Sequence, residues 1–217
     1  MDVATVKAQA SGRINDPEGT KRNIIEIATK EFAENGLSGA RIDEIAAKTK
    51  SSKRMIYYYF GDKDGLYLKV LEDAYSRVRA IEAALDLDAM APLDALRRLV
   101  EFTFDHHNSH EPFIRLVMIE NIHHARHIKR SRAIQSVNTT VIEAIERLYV
   151  RGRAARLFRP GLDAIDLHMT ISALCFFNVS NRATFSKIFS RDLKSKEALA
   201  HLRAQTVEMI ERFARAP

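Results

Sequence analysis

Residues 41–66 read RIDEIAAKTKSSKRMIYYYFGDKDGL. Ile42, Ile45 and Ala46 give one apolar face to a short helix that starts near Arg41. Asp43 and Glu44 fall in its first turn, at the positive end of the helix dipole. Thr49-Lys50-Ser51-Ser52 is a polar break, and Ser51 or Ser52 can cap a second short helix over Lys53–Tyr59. Gly61-Asp62 breaks the chain again, and Asp62 can cap a longer helix from Lys63 to about Ala84. Upstream, Ile25, Ala28 and Phe32 recur at i, i+3 and i+7, which predicts a helix over Lys21–Asn35 with Gly36 as a left-handed cap. Helices joined by such short breaks make a helix-turn-helix bundle.

The second short helix carries the chemistry. Lys48, Lys50, Lys53 and Arg54 surround the turn with no acid among them, and Tyr57, Tyr58 and Tyr59 follow. Adjacent helical residues point about 100° apart, so tyrosines in a row cannot all face one core. Ile56 and Phe60, at i and i+4, are the natural core pair, which leaves tyrosines exposed beside cations. Hydroxyls and ammonium groups in that setting suit phosphate and base-edge contact in a DNA groove.

Composition agrees with a helical, soluble chain. It has 217 residues, 46% hydrophobic and 29% charged, with only 8 Gly and 5 Pro. A net charge of +6 and a pI near 9.5 allow a polyanionic partner. Cys175 is the only cysteine and sits in an apolar run, so an internal disulfide is excluded and a buried inert thiol is expected. No stretch approaches the roughly 20 apolar residues of a membrane span, and the expected location is the cytoplasm. No cofactor motif is present, neither a Gly-rich phosphate loop nor a nucleophile signature.

Outward from the opening stretch, residues 1–19 read as a flexible arm, 20–66 as the helix-turn-helix domain and 67–217 as a larger helical domain. Further helices are expected over Leu93–Asn108, Pro112–Arg126, Arg130–Arg151, Asp163–Arg182 and Lys196–Ala214, about nine in an all-α fold. Ile165, His168, Met169, Ser172 and Phe176 share one face of the penultimate helix, and Leu199, Leu202, Val207, Ile210 and Phe213 mark apolar positions of the last.

Residues 21–70 resemble the N-terminal domain of the TetR family of transcriptional regulators. The likeness rests on Ile45-Ala46, Ser52-Lys53, Ile56-Tyr57-Tyr58-Tyr59-Phe60, Lys63 with Leu66, and upstream Ala28, Phe32 and Gly36. Two positions depart from the family pattern. Thr49-Lys50-Ser51 replaces its usual Ala-Gly-Val, which adds a cation beside the DNA, and Tyr59 stands where the family often has histidine. The resemblance implies that Lys53, Arg54, Met55 and Tyr58 reach base edges. It implies phosphate contacts from Tyr57, Tyr59, Lys63 and Arg41, with Lys21 and Arg22 adding to them from the first helix; Lys50, the added cation, is a further DNA-binding candidate.

The resemblance also implies a repressor that binds a palindromic operator as a homodimer, pairing residues 163–182 and 196–214 with their copies, and that a small-molecule effector releases. Residues expected to line an effector pocket are Phe102, His106, Phe113, Met118, His123, Phe177 and Asn178. The alternative from another class is a metal-dependent helical enzyme, because His106/His110 and His123/His127 each have i, i+4 spacing. A helical module whose basic face binds acidic protein is a third reading.

Overall fold

The computed structural model describes residues 16–216. Ten α-helices run in the order α1 Pro17–Gly39, α2 Ile42–Thr49, α3 Lys53–Phe60, α4 Lys63–Ala83, α5 Pro92–Ser109, α6 Glu111–Ile122, α7 Arg132–Ala154, α8 Ala164–Ser180, α9 Arg182–Ile188 and α10 Lys196–Ala214. Short 3-10 turns at Leu87–Ala89 and Ile128–Arg130 punctuate the connections. The all-α expectation holds, with one more helix than the sequence suggested.

Helix starts follow their caps. Ser52, Asp62, Ser131, Asp163 and Ser195 each accept a backbone N–H of their own first turn. Asp16 does the same for α1, with Pro17 at its first position. This corrects the end of the expected arm: residues 16–19 belong to a capped helix, and residues 1–15 lie outside the described residues. Gly36 has the expected positive φ, 69°, but its ψ of 173° is a region open essentially to glycine alone rather than a left-handed cap, and the chain makes one more turn to Gly39.

Two corrections concern the larger half. α6 stops at Ile122 instead of Arg126, because His124 and Ala125 take positive φ. The buried Glu120 carboxylate accepts the N–H groups of His127 and Ile128, both at 3.1 Å, and His127 Nδ1–H at 2.9 Å, which folds the connection back. The segment after α8 forms α9, which carries Phe185 and Ile188 on an exposed surface.

Two apolar clusters organise the chain. The first joins Ile24, Ala28 and Phe32 of α1 to Ile45, Ile56, Leu66 and Val70, and is closed by Leu116 of α6 and Ile134 of α7. The second packs Leu96, Leu99 and Phe104 of α5 against Ile145, Leu148, Leu167, Ile171 and Ile210. Gly152 allows the Phe158 ring to lie on α7, since a Cβ there would overlap the ring. α4 belongs to the first cluster through Leu66, Tyr67, Val70 and Leu71 and packs along both α1 and α7, so it links the helix-turn-helix unit to the rest.

Candidate nucleic-acid interface and ligand grooves

α3 is held from beneath by Ile56, which is fully buried, and by half-buried Phe60. The helix therefore presents Lys53, Arg54, Met55, Tyr57 and Tyr58 to solvent, with Tyr58 78% exposed. Arg41 is exposed at the N-cap of α2 and makes no side-chain cap bond. Tyr59 is half-buried, its ring edge-on to Phe60 at 6.1 Å and under the Lys21 ammonium at 5.3 Å. Lys63 is also half-buried and donates from Nζ to the Ser38 carbonyl at 3.2 Å. These two anchor the α1–α3–α4 junction as well as bordering the exposed face.

The turn takes the form that a glycine would favour. Lys50 is left-handed, φ 54° and ψ 25°, and its side chain is exposed. Two acids that the sequence did not pair with the cations around it organise them. Asp43 forms an ion pair with Lys53 across the α2–α3 turn. Glu31, buried on α1, accepts from Lys48 Nζ at 3.0 Å, Asn35 Nδ2 at 3.0 Å and the Arg41 N–H at 3.4 Å. Burial pushes the Glu31 carboxyl up, but Lys48 and the Arg41 and Asn35 donors outweigh it and hold the group below the usual carboxylate range.

The residues expected to line one effector pocket do not all come together. His106 and Phe113 do: their ring centroids lie 5.8 Å apart, His106 stacks on His110 at 4.2 Å, and Phe102 touches His106 at 5.6 Å. His106, His110 and Phe113 line a half-open groove of about 540 Å³ between α1, α4 and the α5–α6 corner. Phe177 and Asn178 instead line a separate groove of about 380 Å³ with Phe185 and Phe189. His123 is exposed in the turn after α6, and half-buried Met118 borders neither groove.

Three histidines, His106 and His107 buried and His168 half-buried, sit within or beside the packing of α5 and α8. Burial pushes the imidazole of His107 down to about 3, and those of His106 and His168 down to about 4. Arg79 adds to each of these shifts; its guanidinium donates to Asn138 at 3.0 Å and pairs with buried Glu82. His168 is half-buried, so it lies at the edge of the α8 face on which the sequence placed it. Arg79 was missed, though Leu71, Tyr75, Val78 and Glu82 share its helical phase and mark that face as inward. Cys175 is buried, its thiol pushed up to about 12 first by burial and then by Asp105.

The paired histidines do not form a metal centre. His123 and His127 lose their i, i+4 relation when α6 ends, and His127 is taken by Glu120. Among the described residues no group of three or more His, Cys, Asp or Glu side chains is gathered to hold a metal.

A capped helix-turn-helix with an exposed cationic and aromatic second helix, carried on a larger helical body, defines a DNA-binding regulator. The profile of bacterial regulatory proteins of the tetR family matches residues 24–70, and that of the tetracyclin repressor-like C-terminal domain matches residues 92–210. NicS, an HTH-type transcriptional repressor of Pseudomonas putida, is 36% identical over 188 residues, covering 87% of this chain and 89% of its own. The HTH-type transcriptional repressor SCO4008 of Streptomyces coelicolor is 38% identical over 109 residues, 49% of this chain and 52% of its own.

The crystal structure of the putative regulator SCO4942 of Streptomyces coelicolor superposes with a TM-score of 0.69 at 23% identity, covering 91% of this chain and 99% of that one. FadR of Bacillus subtilis, solved in complex with stearoyl-CoA, gives a TM-score of 0.65 at 16% identity, covering 88% and 98%. The chain belongs to the TetR family of transcriptional regulators and is not an enzyme. The metal-dependent reading falls with that assignment. Among the described residues no helix is long and apolar enough to cross a membrane.

Proposed function

We propose that this regulator is a ligand-responsive repressor that acts in the cytoplasm and binds a palindromic operator as a homodimer. The observation that carries the reading is the outward row of Lys53, Arg54, Met55, Tyr57 and Tyr58 on a helix whose opposite side is locked by Ile56. Residues 20–66 serve as the DNA-binding domain and 67–217 as the effector-binding and dimerisation domain. Arg54, Met55 and Tyr58, with Lys53 once it exchanges Asp43 for DNA, read base edges. Arg41, Lys50, Tyr57, Tyr59 and Lys63 border the phosphates. A homodimer sets two such helices about 34–36 Å apart, one DNA turn, and an effector that prefers another spacing lowers DNA affinity by differential binding to two states.

The test is selection of bound duplexes from a random pool with the full chain, followed by gel shifts. A palindrome should be enriched. Arg54→Ala should cost about 1–3 kcal/mol on it and relax one position, as expected for a lost base contact. Tyr57→Phe should weaken binding evenly across sequences. Equal affinity for all duplexes would overturn the operator reading.

A further inference from the structure

We propose that the groove between α1, α4 and the α5–α6 corner is the effector site and that its occupant is an uncharged, largely apolar small molecule; this rests on the ligand-responsive reading above. The volume of about 540 Å³ is that of a small-molecule pocket. Its walls are mostly apolar or aromatic: Ala74 and Ile81 of α4, Pro112 and Phe113 of α6, and the stacked rings of His106 and His110.

Polar groups decide the class of ligand. His106 is only 7% exposed and its Nδ1 is buried without a hydrogen-bond partner. That nitrogen is sealed from solvent, so it offers no polar contact to an occupant of the groove. His110 is already engaged, its Nδ1 lying 3.1 Å from the His106 carbonyl. The ring of His106, pushed down to about 4 by burial, is neutral at pH 7. The two cations at the rim are also taken: Lys30 by Glu26 at 3.1 Å and Arg77 by Asp73 at 2.6 Å, each on its own helix. An anion would find no free partner here, and a cation would meet acids already neutralised.

The third wall explains how such a site would act. Glu26, Thr29 and Lys30 of α1 border the groove, so an occupant touches the DNA-binding unit and the α5–α6 corner together. A ligand that favours one setting of α1 against that corner biases the recognition helices directly, and operator DNA must weaken the ligand by the same factor. The rival location is the groove of about 380 Å³ between α4 and α7, whose Arg79 and Arg147 are paired with Glu82 and Asp88.

N-phenylnaphthylamine and its sulfonated analogue, anilinonaphthalene sulfonate, test the class of ligand, and substitutions test the site. Each is titrated into the full-length protein by fluorescence and calorimetry, with thermal melting to confirm that variants fold. The neutral probe should bind once per chain and about tenfold more tightly than the sulfonate. Ile81→Asp, at a position 46% exposed and outside both apolar clusters, should lose about tenfold, while Phe177→Ala in the separate groove should change nothing. Equal or tighter binding of the sulfonate, or full affinity in Ile81→Asp, would overturn the site and its class. Saturating neutral probe should also lower affinity for the selected operator in wild type and not in Ile81→Asp. Binding at the groove with unchanged operator affinity would overturn the effector role while the site stands.

Discussion

At the scale of single residues the turn of the helix-turn-helix shows a conflict between folding and binding. Lys50 adopts φ 54°, a conformation that costs a residue with a Cβ about 1 kcal/mol and glycine almost nothing. Its exposed ammonium stands two residues before the α3 cap, where phosphates are expected. Lys50→Gly should therefore raise stability by up to about 1 kcal/mol in urea unfolding, less what the freer unfolded chain takes back. The same change should weaken operator binding and reduce the slope of log affinity against log salt by about one. A variant that is both more stable and unchanged in salt slope would show that Lys50 touches no phosphate. Sequence alone supplied the left-handed question through the missing glycine, but not the Asp43–Lys53 and Glu31–Lys48 pairs. Those partners lie 10 and 17 positions apart, a separation that no helical periodicity links.

At the scale of elements, the outer side of α8 is an uncovered apolar surface outside the DNA-binding unit. Ile165 and Met169 are 60% and 62% exposed and lie one turn apart, while Leu167, Ile171 and Cys175 fill the core from the opposite side. On α10 the two sides divide the same way: Met209 and Phe213 face out, and Ile210, expected with the pairing residues, is buried in its own domain. Exposed stripes on two adjacent helices suit an isologous four-helix contact. Met169→Asp should leave the chain folded, shift it to monomer in sedimentation velocity and lower operator affinity at fixed concentration; a persistent dimer would place the interface elsewhere. The limits of α10 were legible because Ser195 caps it and apolar residues follow its core side. α9 was not, since its apolar residues are turned outward and imitate no buried stripe. Nor was the end of α6, which depends on Glu120 reaching across the turn rather than on a breaker residue.

At the scale of the whole molecule, the buried and half-buried histidines make stability depend on pH. His106, His107 and His168 sit on α5 and α8, where the second apolar cluster is packed, and all three titrate in the folded chain well below the ordinary histidine value of 6.5. Above that value both folded and unfolded forms are neutral, and the histidines contribute nothing to the pH profile. Between 6.5 and the folded values of about 3 to 4, the unfolded chain binds protons that the folded chain refuses. Stability therefore falls as pH falls, by at most about 1.4 kcal/mol per unit for each histidine. Glu31 acts in the same direction further down: its lowered carboxyl contributes fully above its unfolded value near 4.5 and loses that contribution as pH drops through the folded one. His107 gives the sharpest test, because it is nearly buried, has the lowest value of the three and leaves Nδ1 without a partner. His107→Leu keeps an apolar side chain in an apolar site, so at pH 7.5 its urea midpoint should match or slightly exceed wild type. At pH 5 the variant should be more stable by about 2 kcal/mol, since it carries one proton-binding site fewer in the unfolded chain. Parallel stability profiles for the two proteins between pH 7.5 and pH 5 would mean that His107 accepts its proton in place, and that the interior is more open to water and charge than its packing indicates.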